Sequence, residues 1–279
     1  MSGNPTTIGE CLTRARRDLP RLEADVLTAH ALNTARSVLY AFPERPVASD
    51  AASRHAQWVS RRGAGEPVAY IIAEREFWSL PLKVTADVLI PRPDTEVLVS
   101  AALERMQRRQ RKVSVADLGT GSGAVALAIK KERPAACVVA LDVDQRCVEL
   151  AITNGAMLDL DIDVRLSDWF QNLEGRFDLI VSNPPYVADN DPHLGRGDVA
   201  FEPRRALLGG PDGLDALRLI VTGAPGYLRG GGWLGVEHGY QQHRAVTTMF
   251  ASRGFTNVAT LRDTSGHARV TVGQHTGAR

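Results

Sequence analysis

The amino-acid sequence predicts an α/β fold, and three strand-like segments carry this prediction. An apolar run at 115–118 feeds a glycine loop and then a helical run at 125–130. A second apolar run, at 136–141, ends in Asp142. A third, Phe177–Ser182, reads as a buried parallel strand and is followed by two consecutive prolines, which force the chain out of the sheet.

The segment before this sheet predicts a separate helical unit. Helical runs at 8–16, 21–33 and 48–62 are separated by prolines, which end helices. Short extended runs follow between 67 and 85 and suggest a hairpin. We therefore expect a helical bundle at 1–65 that is a candidate for substrate recognition, a linking β-hairpin at 66–90, and the α/β domain at 91–279.

The α/β domain begins with a predicted helix at 95–109, and its tail at 105–112 is strongly basic. A basic helix end typically compensates the helix dipole in solvent, and the alternative is contact with RNA. The stretch 188–211 has little periodicity and is long for a loop, which suggests a lid or a docking segment. Further elements are expected as helices at 215–227 and 243–253, a fifth strand at 232–237, and an antiparallel edge pair at 257–261 and 269–272.

The composition is that of an ordinary globular protein. The chain has 279 residues, of which 44% are hydrophobic and 23% are charged, so it can bury a full core and a second small domain. The net charge of +1 gives no overall field for nucleic acid. No run reaches the ~18 apolar residues of a membrane helix, and the polar first residues lack a signal-peptide pattern, so a cytoplasmic protein is expected.

Reactive side chains show no pattern of nucleophilic or metal chemistry. The three cysteines, Cys11, Cys137 and Cys147, have no metal-ligand spacing. Cys137 lies in a predicted strand and Cys147 in the next helix, so buried reduced thiols are expected. No metal site is predicted.

The tetrapeptide Asn183-Pro184-Pro185-Tyr186 is placed where open α/β sheets bind ligands, at the carboxyl end of a strand. Its Asn side chain can accept and donate hydrogen bonds, its first Pro carbonyl can accept, and its Tyr ring can lie flat against a planar group. These groups would clamp a planar NH2 group of an adenine, a cytosine or a carboxamide. The alternative is a rigid turn that caps the strand.

The glycine loop at 119–123 suits an adenosine-containing cofactor. Glycines allow a sharp turn and close approach of the backbone to a ligand, beside helix N–H groups. The pattern G-x-G-x-x-A does not by itself separate NAD from other adenosine cofactors. Asp142, 19 residues after Gly123, suits hydrogen bonds to ribose hydroxyls. Its alternative role is a helix N-cap, for which Asp144 is better placed.

In this order and spacing, these motifs resemble the class I S-adenosylmethionine-dependent methyltransferases that act on planar nitrogens. The flanking segments REFWSLPL at 75–82, LIPRPDTE at 89–96 and the residues from 191 to 214 narrow the resemblance. With the helical N-terminal stretch, the chain is similar to the HemK/PrmC family of peptide chain release factor glutamine methyltransferases. The match covers almost the whole chain.

The resemblance implies a Rossmann-like fold with a seven-stranded mixed sheet and S-adenosyl-L-methionine as cofactor. It implies methyl transfer to the side-chain N5 of the glutamine in the Gly-Gly-Gln motif of class I release factors. One alternative is a ribosomal-protein glutamine methyltransferase, but the segment IPRPDTE favours the release-factor enzyme. The other is a DNA N6-adenine methyltransferase, but the chain leaves little room for the target-recognition domain of such an enzyme. A monomer with no membrane and no stable nucleic-acid partner is expected.

The same resemblance assigns the site residues. The catalytic residues are expected to be Asn183, Pro184 and Tyr186, and the whole tetrapeptide, Pro185 included, is expected to bind substrate. The cofactor is expected to contact Gly119, Thr120, Gly121, Ser122, Gly123, Asp142, Asp168, Trp169, Asn183, Arg92 and Thr95.

Several of these residues have other roles open to them. Trp169 is expected at the adenine or simply buried, and Asp168 at the adenine amine or capping a turn. Arg92 suits the cofactor carboxylate but can instead pair with Glu96, four residues on. The pair Glu237-His238 after the fifth strand suggests acid–base chemistry, which methyl transfer does not need, so a structural role is favoured.

Overall fold

The computed structural model of the chain describes residues 6–106 and 112–277, in two compact units. The first unit is Met1–Glu74 with Gly195–Phe201, and the second is Arg75–Leu194 with Glu202–Arg279. The helices of the first unit are α1 (Ile8–Asp18), α2 (Arg21–Ala31), α3 (Arg36–Ala41), α4 (Ser49–Gly63) and α5 (Val68–Ile72). The second unit contains α6 (Glu96–Met106), α7 (Ala124–Glu132), α8 (Gln145–Met157), α9 (Arg204–Leu207), α10 (Asp215–Tyr227) and α11 (His243–Ser252). The strands are β1 (Glu74–Phe77), β2 (Leu80–Lys83), β3 (Ser114–Leu118), β4 (Cys137–Asp142), β5 (Asp163–Leu166), β6 (Phe177–Ser182), β7 (Leu228–Glu237), β8 (Thr256–Arg262) and β9 (Ala268–Gln274).

The helices of the first unit begin where the sequence signals them. Thr7 and Glu10 form a capping box at α1: the Thr7 hydroxyl accepts from Glu10 N at 3.3 Å, and Glu10 Oε2 accepts from Thr7 N at 3.1 Å. The three predicted helices are present with slightly different ends. Two further helices, α3 and α5, were not predicted. The apolar run of α5 resembled an extended segment, because a short apolar run suits either a strand or a buried helix. In the structure it is a helix with three of its five residues buried, so the hairpin is confined to β1 and β2.

The central sheet of the second unit has the strand order β5-β4-β3-β6-β7-β9-β8. The first five strands of this order are parallel, and β9 pairs antiparallel with both β7 and β8. The predicted mixed seven-stranded sheet and its antiparallel edge pair are therefore confirmed. All six residues of β6 are buried, as the unbroken apolar run indicated.

Helices cover both faces of this sheet and enclose two hydrophobic cores. On one face Leu98 of α6 and Leu127 of α7 pack with Val181 of the sheet. On the other face Leu217 of α10 packs with Ile180 and its neighbours. Alternate residues of β6 thus serve opposite cores, because successive strand side chains point to opposite faces.

The stretch 188–211, which is predicted to be a lid or a docking segment, contains regular structure despite its lack of periodicity. It contains two 3-10 turns, Pro192–Gly195 and Gly197–Phe201, and the short helix α9. The Gly197–Phe201 turn belongs to the first unit, where Arg62 pairs with Asp198 at 2.8 Å and with Glu23 at 2.7 Å. Such short turns have no hydrophobic period, which explains why the sequence did not reveal them.

Two further sequence expectations have different outcomes. Cys147 is buried, as expected, but Cys137 is exposed because it is the first residue of β4. The basic tail at 105–112 lies mostly outside the described residues. Within 6–106 and 112–277, no helix combines the length and apolar character needed to cross a membrane.

Asn154 on α8 joins the hairpin to the glycine loop. Its side chain is fully buried; Nδ2 donates to Lys83 O at 3.0 Å and Ser122 O at 2.8 Å, and Oδ1 accepts from Lys83 N at 2.8 Å. Asn154→Ala is expected to lower the free energy of unfolding by about 2 kcal/mol, since two part-buried backbone groups of Lys83 and the buried Ser122 O lose their partner. Urea denaturation measures this change. Thr153→Ala, on the exposed face of the same helix, is the control and should change stability by less than ~0.5 kcal/mol. Equal effects of the two substitutions would contradict the role of Asn154.

Candidate functional site

The register of three neighbouring parallel strands brings the predicted site residues together. Leu118 of β3 pairs with Leu141 of β4 on one side and with Ser182 of β6 on the other. The next residues along the chain are Gly119, Asp142 and Asn183. The three therefore leave the sheet at the same level, at its carboxyl edge, where α/β proteins bind ligands.

The glycine loop is built on the end of β4. Gly119 N and Thr120 N both donate to Leu141 O, at 2.8 and 2.9 Å, and Gly121 N donates to Asp142 Oδ2 at 2.9 Å. Gly121 has a φ of +56°, which favours glycine, and a Cβ atom there would have no protein atom within 4 Å other than its chain neighbours. The backbone at Gly121 is thus open to a ligand.

Gly123 has a different task from Gly121. Its φ is +83°, and a Cβ atom there would lie 3.2 Å from the Cβ atom of Ala151 on α8. This glycine lets α7 pack closely on α8, and it does not line the ligand cavity. Close helix packing is therefore a sufficient reason for glycine at this position, and the predicted cofactor contact of Gly123 stays a prediction.

The cavity at this edge collects most of the predicted cofactor residues. Its walls combine apolar side chains such as Leu89 and Pro91 with polar groups. The predicted residues among its lining are Thr95, Gly119, Thr120, Gly121, Ser122, Asp142, Asp168, Trp169, Asn183 and Pro185. Arg92, Gly123, Pro184 and Tyr186 do not line it.

Two of the carboxyl groups that line the cavity have a raised pKa. Burial raises the pKa of Asp142, while the hydrogen bond from Gly121 N opposes this effect. Asp117 is also buried, which raises its pKa to about 6, and it accepts from the Thr120 hydroxyl at 2.7 Å. Sequence reasoning did not select Asp117; a carboxylate inside an apolar strand, two residues before the loop, was the available signal.

Asp144 resolves the question of the helix cap. Its side chain accepts from Arg146 N at 2.8 Å at the start of α8, so Asp144 and not Asp142 is the N-cap. Arg205, which sequence reasoning also missed, pairs with Asp144 and lines the cavity. Asp142 is left to face the cavity beside the glycine loop.

Trp169 forms a wall of the cavity in an unusual backbone conformation. Its φ is +48°, uncommon for a residue other than glycine. Ser167 supports this turn by donating to Trp169 O at 3.1 Å and accepting from Asn172 N at 2.9 Å. A Cβ atom on Gly119 would lie 3.6 Å from the indole ring, so the ring stands directly beside the glycine loop.

The tetrapeptide divides into a cavity-facing part and a supporting part. Asn183 lines the cavity, and its Nδ2 donates to the Thr95 hydroxyl at 3.1 Å. Tyr186 does not line it: its hydroxyl donates to Glu237 Oε1 at 3.0 Å, and burial raises the pKa of the phenol. Gln242 Nε2 donates to Tyr186 O at 2.9 Å and fixes the backbone there.

Arg92 and His238 have structural partners. Arg92 pairs with the buried Glu202, which also accepts from Ile90 N at 3.2 Å, so the alternative pairing with Glu96 is wrong. The expected contact of Arg92 with the cofactor carboxylate stays a prediction. His238 is fully buried between Gly239 O and the Thr271 hydroxyl, both at 2.9 Å, which supports its structural role. Among residues 6–106 and 112–277 no cluster of His, Cys, Asp and Glu could hold a metal ion.

Comparison with known families assigns one domain to the N-terminal helices and another to the region of the glycine loop and the tetrapeptide. The PrmC N-terminal domain matches residues 7–72, and the Methyltransferase small domain matches residues 94–199. The release factor glutamine methyltransferase of Xylella fastidiosa strain 9a5c is 47% identical over 94% of this chain and 96% of its own length. The protein of the same name from Pseudomonas aeruginosa is 49% identical over 91% and 92%.

Solved structures share the fold at low sequence identity. The hMettl16 catalytic domain, solved with a MAT2A 3'UTR hairpin, has a TM-score of 0.56 and 15% identity, with 82% of each chain covered. A methyltransferase from Pyrococcus furiosus has a TM-score of 0.52 and 16% identity over 80% of this chain and 100% of its own. These similarities support the class I methyltransferase fold.

Gly121→Val tests whether the open face of the glycine loop is the ligand site. The branched side chain would enter the cavity, so binding of S-adenosylhomocysteine, the demethylated form of the cofactor that the resemblance implies, should weaken by at least about tenfold. Calorimetric titration measures the Kd. Gly175→Val is the control: its φ is +86°, it also meets no atom within 4 Å, and it lies outside the cavity lining. Equal Kd values for the two variants would show that the loop is only a structural turn.

Proposed function

The chain belongs to the family of release factor glutamine methyltransferases, and we propose that Asn183 presents the substrate glutamine to the cofactor cavity. The reaction is methylation of a release factor glutamine with S-adenosylmethionine as methyl donor. The observation that supports the role of Asn183 is its position beside the glycine loop with its amide nitrogen already engaged by Thr95.

The cavity offers S-adenosylmethionine hydrogen-bond acceptors, apolar surface and negative charge. Asp142 can accept from ribose hydroxyls, Trp169 and Leu89 offer apolar surface for the adenine, and Asp117 adds negative charge for the cationic end of the cofactor. The open backbone at Gly121 leaves room for close approach. The bound cofactor would supply a methyl group that is already activated by the positively charged sulfur.

Asn183 can orient the nucleophile because its polarity is defined. Since Nδ2 donates to Thr95, Oδ1 remains as the acceptor that can take an N–H of a carboxamide. The Pro184 carbonyl is proposed as the acceptor for the second N–H. A carboxamide nitrogen is a poor nucleophile because its lone pair is delocalised, so orienting this nitrogen can supply much of the acceleration.

The first unit is proposed to recognise the protein substrate. Its helices match the PrmC N-terminal domain over residues 7–72. Gly195–Phe201 packs within the same unit, so this unit contains chain from both sides of the tetrapeptide. A release factor substrate would place the reaction in the cytoplasm, and we expect the enzyme to act as a monomer without a stable nucleic-acid partner.

Transfer of a labelled methyl group to purified release factor tests this function. Wild-type release factor should be labelled, and a variant with Ala in place of the Gly-Gly-Gln glutamine should not. Duplex DNA is offered at low salt as a third substrate, because electrostatic binding of nucleic acid is strongest there. Equal labelling of both release factors, or labelling of DNA alone, would contradict the proposal.

Asn183→Ala tests the orienting role directly. The variant should bind S-adenosylmethionine within a few-fold of wild type, while the methylation rate falls by ~10²-fold, as loss of one positioned polar group often causes. Calorimetry and single-turnover rates measure the two effects. The control is Asn257→Ala on β8, far along the sheet order from β6, which should retain the wild-type rate. A normal rate in Asn183→Ala would reduce the tetrapeptide to a rigid turn.

A further inference from the structure

Behind Asn183 lies a buried carboxyl group that methyl transfer itself does not use. Glu237 ends β7, is 1% exposed, and accepts from the Tyr186 hydroxyl through Oε1. Its Oε2 atom is equally buried and has no well-formed hydrogen bond in the described part of the chain. Hydrogen bonding from the Thr95 hydroxyl lowers the pKa of the same carboxyl and so favours its charged form.

Thr95 connects this carboxyl to the site. It is 4% exposed, and its oxygen accepts from Asn183 Nδ2, so its own proton is free for another acceptor. The Glu237 carboxyl, whose pKa is lowered by hydrogen bonding from Thr95, is that acceptor. A buried carboxylate oxygen without a donor is costly, so a charged Glu237 draws the Thr95 proton toward itself.

We propose that Glu237 is a positioning residue: its ionised carboxyl fixes the polarity of Asn183 through the Thr95 hydroxyl, and methylation depends on this ionised form. The proposal rests on the orienting role of Asn183 given above. It adds the residue that determines which end of the Asn183 amide faces the glutamine.

The orientation of the Asn183 amide follows from which group donates and which accepts in each hydrogen bond from Glu237 through Thr95 to Asn183. An ionised carboxylate can only accept, so Thr95 must donate to it and must accept from Asn183 Nδ2, which leaves Asn183 Oδ1 for the substrate. A neutral carboxyl can instead donate to the Thr95 oxygen. Thr95 then donates to Asn183 Oδ1, so the side-chain amide is rotated by half a turn. Nδ2, which is a donor, then faces the substrate N–H group, and no acceptor is left there for that group.

The surroundings of Glu237 place this change near neutral pH. Burial raises the pKa of Glu237 to about 7, while Thr95, Tyr186 and then the positive charge of Arg269 lower it, and Asp94 raises it. Arg269 is itself held by Asp94 and Asp263, at 2.9 and 2.8 Å. The methylation rate should therefore fall as the pH drops through about 7, because the protonated carboxyl no longer sets the polarity of Asn183.

The test is the pH profile of the turnover number for labelled-methyl transfer to release factor, from about pH 5.5 to 8.5, which brackets this titration. Wild type should lose rate on the acidic side of pH 7. Glu237→Gln should lose that titration and show a turnover number lowered by about tenfold, while the Kd for S-adenosylmethionine stays within a few-fold. The wild-type profile must be compared with that of Glu237→Gln because a second group titrates in the same pH range: burial raises the pKa of Asp117 to about 6.

A second pair of variants tests the connection through Thr95. Thr95→Ser keeps the hydroxyl, whereas Thr95→Val keeps the shape and removes it. The turnover number of Thr95→Ser should exceed that of Thr95→Val by roughly tenfold, since one hydrogen-bonded group differs. Tyr186→Phe removes a donor to Glu237 without touching Thr95, so it should move the acidic limb to higher pH.

The outcomes separate this proposal from the proposed function. No methylation by wild type at any pH would overturn the proposed function itself. If wild type methylates release factor but Glu237→Gln shows the same acidic limb, only the role of Glu237 is overturned. A wild-type profile without an acidic limb would also overturn this role alone. If thermal unfolding shows that Glu237→Gln is not folded, equal turnover of Thr95→Ser and Thr95→Val would overturn it.

Discussion

The register of β3 with its two parallel neighbours is the constraint on which the site depends. Leu118 pairs with Leu141 and with Ser182, so the glycine loop, Asp142 and Asn183 begin at one level. Ser182 Oγ strengthens this pairing by donating to Leu118 O at 2.6 Å. A slip of two residues in either pair would displace one of these groups by about 6.6 Å, which is too far for a shared ligand.

Polar groups buried close to this edge have a common physical character. Asp117 and Glu237 are both enclosed, and burial raises the pKa of each carboxyl well above its usual range. Asp117 is stabilised by the Thr120 hydroxyl, and Glu237 by the Thr95 and Tyr186 hydroxyls. Buried carboxyls held in this way are expensive for stability, and they concentrate where a protein binds or orients a ligand.

The sequence predicted the strands that carry the site because their signals are local. An unbroken apolar run with a glycine loop or two prolines at its end identifies a buried strand and its exit, as at Gly119 and Asn183. The hydrogen-bond and ion-pair partners of other site residues were not predictable, because these partners come from distant parts of the chain. Arg92 pairs with Glu202, and Tyr186 reaches Glu237. Helix α5 was missed since a short apolar run suits either a strand or a helix until its burial is known.

The most direct test of the account is a crystal structure of the enzyme with S-adenosylhomocysteine and a release factor domain that carries the Gly-Gly-Gln glutamine. The account requires Asn183 Oδ1 to lie about 3 Å from the glutamine side-chain nitrogen, at hydrogen-bond distance. Asn183 Nδ2 should still donate to Thr95 in that complex. A glutamine bound away from Asn183, or one that faces Nδ2 of Asn183, would contradict the central claim.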